Sequence, residues 1–426
     1  MTAFARLVDR VAARRGSLGL TVEFWDGTRR AYGPTPDELV IRLRDRRTCL
    51  ALLVDPSLRF GDAYADGAIE VEGDLGKLME ILLRLDQRDL APTLPRRLAG
   101  AATSWVLRNS PFRARKNARY HYDLGNEFFR LWLGRTMAYS CAYFREPADD
   151  LDTAQEQKFR HVSEKLRLEP GLRLLDIGCG WGGLAAYAAS HYGVDVVGIT
   201  LSEAQKRGAD EMLAARGLDR RVTIRLQDYR QLAPDRPFDR VVSIGMFEHV
   251  GRQLIPRYLR ETARLLAPGG VGLLHTIGRV APAPMDAWIA TRVFPGAYFP
   301  ALAEILAPMG EHGLHAADIE SLGPHYAMTL DRWHEAFERV APMVARMYDA
   351  RFVRMWRLYL RASAAAFRVG NMTVWQIQFT KGAPAGLPLT RDYLYRERTA
   401  ADLMAGQQEA PGLPFRAPAT LFSRAE

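Results

Sequence analysis

The sequence predicts an α/β fold: a doubly wound, Rossmann-like, largely parallel sheet with a helical cap inserted and a smaller N-terminal α/β domain. Three observations predict it. From residue 171 short apolar runs alternate with helical patterns, so that Arg173–Ile177, Val194–Thr200, Val222–Gln227, Phe238–Ile244 and Val271–Thr276 read as five strands. The first of these runs straight into glycines at 178, 180, 182 and 183, followed by an Ala-rich helical segment. Such a strand–turn–helix lets backbone approach a ligand closely and aims unpaired N–H groups at it. Third, residues 278–370 break the alternation with a helical, aromatic-rich segment (Trp288, Phe294, Tyr298, Phe299, Trp333, Phe337, Trp356, Tyr359), and Met372–Phe379 reads as a final strand.

In chain order, residues 1–90 form the small domain. Leu20–Trp25, Asp26-Gly27 and Thr28–Tyr32 read as a hairpin, because Asp-Gly supplies the positive-φ turn. Helical patterns follow at Pro36–Arg44 and Asp74–Leu85. Residues 91–119 are a basic connector with seven cations (Arg96, Arg97, Arg108, Arg113, Arg115, Lys116, Arg119), no acid, and Trp105, Leu107 and Phe112 interleaved. That composition fits an interfacial membrane element and a solvated linker helix equally well. The main domain spans 120–382, where Pro268-Gly269-Gly270 is a firm helix stop. The tail, 383–426, holds one short helical pattern, Asp392–Met404, and otherwise reads as loosely ordered.

Composition narrows the partners. An excess of 58 basic over 49 acidic side chains, +9 in all, suits an anionic surface, either nucleic acid or phospholipid headgroups. No run approaches the roughly 20 apolar residues that span a bilayer. The first residues, MTAFARLVDRVAARRG, are basic and amphipathic but lack the apolar core of a secretory signal. Cys49, Cys141 and Cys179 are odd in number and scattered, which indicates neither a disulfide framework nor a zinc or other metal site, and a reducing cytoplasm is the simplest setting.

In a sheet of this kind ligands sit beyond the carboxyl ends of the strands, so the residues there matter most. After the first strand come Gly178 and Gly180, with no Lys-Ser/Thr to make a triphosphate cradle, and Asp176 just before them suits a ligand with a positive centre. That combination points to S-adenosylmethionine rather than a pyrophosphate. Thr200 and Gln205, with Ser202 in the same turn, replace the lone ribose-binding acid by neutral hydrogen bonds, and Asp228 and Tyr229 suit an adenine amino group and its stacking face. Glu248-His249 and His275-Thr276-Ile277 follow the fourth and fifth strands. A lone His or Glu at a strand end is more often a satisfied packing residue. Polar residues after all five strands are harder to dismiss.

Tyr120-His-Tyr-Asp-Leu-Gly-Asn126, Tyr139-Ser-Cys-Ala-Tyr143, Asp176-Ile-Gly-Cys-Gly-Trp-Gly-Gly183, Ser243-Ile-Gly-Met-Phe-Glu-His-Val-Gly251, His275-Thr-Ile-Gly278 and His325-Tyr326 together resemble the cyclopropane fatty acid synthase family, densely over 115–380 and loosely over 1–90. The resemblance implies an S-adenosylmethionine-dependent methyltransferase acting on cis double bonds of unsaturated phospholipid acyl chains, with 1–90 as a lipid-associated domain. It implies a cytoplasmic protein, peripheral on the inner face of an anionic membrane, and leaves oligomeric state open, a homo-oligomer included. Methyl transfer to an alkene leaves a carbocation, from which water must be excluded and which ring faces stabilise. Bicarbonate is the family's base, and by resemblance Glu248, His275 and Tyr326 fall to its pocket, with Cys141 and Ile277 contributing mainly backbone, while Tyr139 and Ser140 fall to the cofactor. Alkene methylation needs no thiolate, so Cys141 is not read as a nucleophile. Where many relatives carry a cysteine this chain has Ser363, a neutral packing change. Loss of a different proton would give an exocyclic methylene, the first step toward 10-methyl branched fatty acids, and the sequence leaves both products open. A nucleic-acid methyltransferase would place Asn/Asp-Pro-Pro-aromatic after the fourth strand, where this chain reads Gly-Met-Phe-Glu-His, so nucleic acid is not the expected partner. A non-catalytic lipid-binding protein would have lost motif residues, and none is missing.

Overall fold

A computed structural model describes residues 2–84 and 124–395 apart from 15, 17, 36, 37, 384 and 385. The basic connector, the first residues of the Tyr120 motif and nearly all of the Asp392–Met404 pattern lie outside the described residues.

The N-terminal domain is a four-stranded sheet of β1 (Leu20–Glu23), β2 (Arg29–Tyr32), β3 (Leu39–Leu43) and β4 (Ile69–Glu72), ordered β2-β1-β3-β4. The expected hairpin forms, with Gly27 at φ +82° and the Asp26 carboxylate accepting the Thr28 N–H at 3.0 Å. The helical pattern expected at Pro36–Arg44 is instead β3. Its Val40-Ile41 pair is β-branched and buried, and the strand is sandwiched between β1 (parallel, Leu20 opposite Leu39) and β4 (antiparallel), a pairing that overrides local periodicity. The second helical pattern holds: Asp74 caps Leu75–Leu83 by accepting the Gly76 N–H at 2.7 Å. Helices at Thr2–Ala13, Arg46–Val54 and Pro56–Ala65 complete this domain.

The main sheet has seven strands. Five are parallel: β5 (Arg173–Ile177), β6 (Asp195–Thr200), β7 (Val222–Leu226), β8 (Phe238–Ile244) and β9 (Leu266–Gly278). The other two, β10 (Leu314–Ser321) and β11 (Thr373–Lys381), are antiparallel, and the order is β10-β11-β9-β8-β5-β6-β7. The helix before β9 ends at Leu265, as Pro268-Gly269-Gly270 requires, but Leu266 already pairs with Phe238, so the strand begins ahead of that turn. The cap is not wholly helical. Between the helices Leu302–Glu311 and Gly323–Met347 lies β10, an edge strand whose half-exposed, polar sequence carries no apolar run to betray it.

Leu174, Ala185, Val194 and Val242 belong to one core of the main sheet, and Leu175, Ile177, Phe238 and Leu274 to another. The largest core runs from the N-terminal domain (Leu20, Leu39, Leu78) through Trp132 into the cap (Trp333, Phe337, Trp356) without a break. The seam is close-fitting: a Cβ on Gly61 would strike the Trp288 indole, and Arg354 from helix Ala350–Arg368 donates to the Tyr64 and Ile69 carbonyls at 2.6 and 2.7 Å. Cap and N-terminal domain therefore form one packed body, beside the strand ends where the polar residues gather.

Candidate active site

Two cavities meet at the carboxyl ends of the parallel strands. The larger, about 180 Å³, is walled by the turns after β5, β6, β7 and β8, and all ten residues expected at a cofactor line it: Tyr139, Ser140, Asp176, Gly178, Gly180, Thr200, Ser202, Gln205, Asp228 and Tyr229. The smaller, about 40 Å³, is lined by Cys141, Glu248, His275, Ile277 and Tyr326 together with the rings of Phe294, Phe299 and Tyr359. Tyr139, Ser140, Gly245 and His249 line both and form the neck between them.

The glycine turn is built for close approach. Gly178 and Gly180 sit at φ +85° and +56°; a Cβ on Gly178 would strike Met246, whereas one on Gly180 would meet nothing within 4 Å. The N–H groups of Gly178 and Cys179 do not face a ligand as expected: both donate to the Ile199 carbonyl, at 2.9 and 3.0 Å. The turn thus contributes space more than donors at those two positions. Asn126 staples it to the turn after β6, accepting from the Trp181 indole N–H at 2.8 Å and donating to the Ala204 carbonyl at 2.8 Å.

After β6, Thr200 Oγ1 donates to Gln205 Oε1 at 2.7 Å, and Ser202 caps the following helix by accepting the Gln205 N–H at 3.3 Å. The carbonyl end of Gln205 is thereby tied, and its donor end is left for a ligand. Asp228 is buried, but its carboxylate is gripped by Arg230 at 2.8 and 2.5 Å, so the wall it offers is that of an ion pair and not a bare acid. Asp176 has no such grip. Burial pushes its carboxyl up to about 7 against a smaller opposing pull from Lys158.

In the small cavity Glu248 Oε1 accepts the Ile277 N–H at 2.6 Å, while Glu248 Oε2 and His275 Nε2 are buried without a hydrogen-bond partner among the described residues. Burial raises the Glu248 carboxyl to about 7, opposed by its hydrogen bond from Ile277, and lowers His275 to about 3, aided by the Lys158 and Lys165 charges. The Gln376 amide nitrogen stands 3.2 Å from His275 Nδ1. That contact holds the imidazole in place, and the Gln376 amide oxygen, like His275 Nε2, is buried without a hydrogen-bond partner among the described residues. The Cys141 thiol is wholly buried and pushed well above its ordinary range, which keeps it protonated and inert. His325, next to Tyr326 in sequence, lines neither cavity: it accepts the Phe144 N–H at 3.1 Å and stacks on Tyr143. Ser363 lies half-buried in helix Ala350–Arg368 and lines neither cavity.

Sequence reasoning missed Lys158 and Gln376. Gln376 stands opposite His275 in the β11–β9 pairing, and the two glutamines, 376 and 378, amid Val, Trp, Ile and Phe were the signal available for it. Lys158, on the helix Leu151–Lys165 ahead of the first parallel strand, carried none.

Comparison with known proteins settles the family. The family model described as mycolic acid cyclopropane synthetase matches residues 109–377. The chain belongs to this family. A domain of unknown function matches residues 9–91. Among the family's relatives, a probable fatty acid methyltransferase of Pseudomonas putida is 39% identical over 89% of this chain and 97% of its own length. A cyclopropane-fatty-acyl-phospholipid synthase of Escherichia coli is 41% identical over 82% and 90%. Among solved structures, a cyclopropane synthase of Mycobacterium tuberculosis superposes with a TM-score of 0.60 at 35% identity, covering 63% of this chain and 98% of that one. A mycolic acid cyclopropane synthase complexed with SAH and CTAB gives 0.59 at 35%, with the same coverage. The family member described here is a methyltransferase with the S-adenosylmethionine-dependent fold, its seven-stranded sheet matching those neighbours.

Proposed function

We propose that this enzyme transfers the methyl group of S-adenosylmethionine to the cis double bond of an unsaturated phospholipid acyl chain and closes a cyclopropane ring, with bicarbonate as the base. The observation that carries the reading is the pair of buried, unpartnered atoms, Glu248 Oε2 and His275 Nε2, in a small cavity joined through a neck to a larger one.

The residues present fit both groups. The larger cavity offers Asp176 to a positive centre, the donor end of Gln205 to a ribose, the Tyr229 ring to an adenine, and open space over Gly180. The cofactor would supply an electrophilic methyl carbon, and Tyr139 and Ser140, which line both cavities, would hold its reacting end. The smaller cavity's volume, about 40 Å³, fits an anion of four heavy atoms, since one water needs roughly 10–15 Å³ by the same measure. A bicarbonate there would supply a proton acceptor. His275 offers a neutral N–H, which burial keeps from charging, and Glu248, with its carboxyl raised to about 7, can carry the proton that removes repulsion between a carboxylate and an anion. Tyr326 adds a phenol to the same wall, with Cys141 and Ile277 as backbone. Phe294 and Tyr359, 5.7 Å apart, exclude water and turn ring faces toward developing positive charge.

Among the described residues no helix is long and apolar enough to cross a membrane. We assign the enzyme to the anionic, cytoplasmic surface of the membrane, where the cations of the basic connector would aid binding. The test is purified enzyme with S-adenosylmethionine and monounsaturated phosphatidylglycerol vesicles, the acyl products read by proton NMR. Upfield ring protons with bicarbonate dependence support the reading. Vinylidene protons would assign the methylene-forming activity instead, and no new carbon on the chain would refute methylation of acyl lipids.

A further inference from the structure

One charged group in the larger cavity has no ligand assigned to it above. Lys158 is 1% exposed and lines the wall that Asp176 also lines. Its ammonium donates to Ser140 Oγ at 2.9 Å and lies 4.6 Å from the Phe159 ring centroid. No ion pair within 4.0 Å joins it to Asp176 or to any other carboxylate among the described residues. A hydroxyl and a ring face are poor compensation for a buried ammonium, whose desolvation costs far more than one neutral hydrogen bond returns. Support of the 138–140 loop does not explain the charge, because Gln155, one turn earlier on the same helix, already donates to the Ala138 and Ser140 carbonyls at 3.3 and 3.0 Å. Burial accordingly drags the Lys158 ammonium down to about 7, as it drags the Asp176 carboxyl up.

A buried cation and a buried anion in one cavity wall, unpaired with each other, are the complement of a zwitterion. We propose that Lys158 is the binding residue for the α-carboxylate of the cofactor's amino-acid end, while Asp176 takes its α-ammonium. The assignment rests on the reading of the larger cavity as the S-adenosylmethionine site. Ser140 Oγ then holds the Lys158 ammonium at the neck between the two cavities. The site should discriminate sharply against cofactor analogues that lack the carboxylate but keep the amine.

Titration calorimetry with S-adenosylhomocysteine and with its decarboxylated form, on wild type and on Lys158→Met, tests this as a cycle. Wild type should bind the decarboxylated form about 10- to 100-fold more weakly, the scale of a lost charge-assisted hydrogen bond, and Lys158→Met should bind both forms within about twofold of each other. Met keeps the length of the aliphatic stem. Should that variant not fold, Lys158→Gln takes its place in the same cycle. Equal wild-type affinity for the two ligands overturns the proposal, and so does a Lys158→Met enzyme that weakens both equally, which would make Lys158 a support of the loop. Absence of S-adenosylhomocysteine binding to wild type would instead overturn the cofactor reading itself.

Discussion

Replacing Glu248 by Gln separates catalysis from stability because the two should move in opposite directions. The side chain is 4% exposed, Oε1 accepts the Ile277 N–H, and Oε2 has no partner among the described residues. Its carboxyl is raised from 4.5 to about 7, so the folded protein holds this proton more tightly than the unfolded chain does. Below pH 4.5 the group is protonated in both states and costs nothing. As pH rises toward 7 the unfolded carboxyl ionises first and stability falls, levelling at a cost of about 3 kcal/mol. Gln retains the Oε1 acceptor and removes that cost, less roughly 1 kcal/mol for a new unpartnered N–H. Glu248→Gln should therefore melt slightly below wild type near pH 4 and above it at pH 8. Turnover should fall about 100-fold or more, the scale of a lost proton-handling group, with S-adenosylhomocysteine affinity nearly intact because Glu248 lines only the small cavity. Differential scanning calorimetry at the two pH values and steady-state turnover on vesicles read the outcome. Normal turnover with a lowered melting midpoint at pH 8 would refute the reasoning and leave Glu248 as a structural tie to β9.

Other substitutions probe the neighbouring claims. Gly180→Leu, at φ +56° with nothing near a Cβ, should leave the fold intact apart from about 1–2 kcal/mol of backbone strain while its side chain fills the larger cavity; calorimetry should then detect no S-adenosylhomocysteine binding, and unchanged affinity would remove the turn from the site. His275→Gln and Tyr326→Phe should each cut turnover about 100-fold, and neither should add to Glu248→Gln, because all three would act on one bound anion; additive losses would mean independent roles. Reversing charge at Arg113, Arg115 and Lys116 should weaken co-sedimentation with anionic vesicles and flatten its salt dependence, and unchanged co-sedimentation would leave the connector as a linker only.

Much of this molecule was legible because a parallel sheet converts sequence order into spatial convergence. Whatever follows β5, β6, β7 and β8 must open at one edge, so reading the residues after each strand brought Gly178, Thr200, Asp228 and Tyr229 to one cavity without any knowledge of side-chain contacts. The small cavity was legible only in part on the same terms. Glu248, His275 and Ile277 follow or end parallel strands, but Cys141 comes from a loop ahead of the sheet and Tyr326 from a cap helix, and resemblance alone brought them in. What escaped was set by long-range pairing. β3 has a local pattern that fits a helix, and its fate is decided by β1 and β4 on either side; β10 is an edge strand with too little apolar content to announce itself. Lys158 and Gln376 escaped for the same reason in sharper form. A lysine on an amphipathic helix and a glutamine in a strand become chemically meaningful only when burial removes water from them, and burial is a property of the assembled fold. Asp176 and Glu248 were legible because they stand at strand ends, whereas Lys158 stands on a helix, and its buried charge, costly wherever a partner is missing, can be retained where a ligand supplies one.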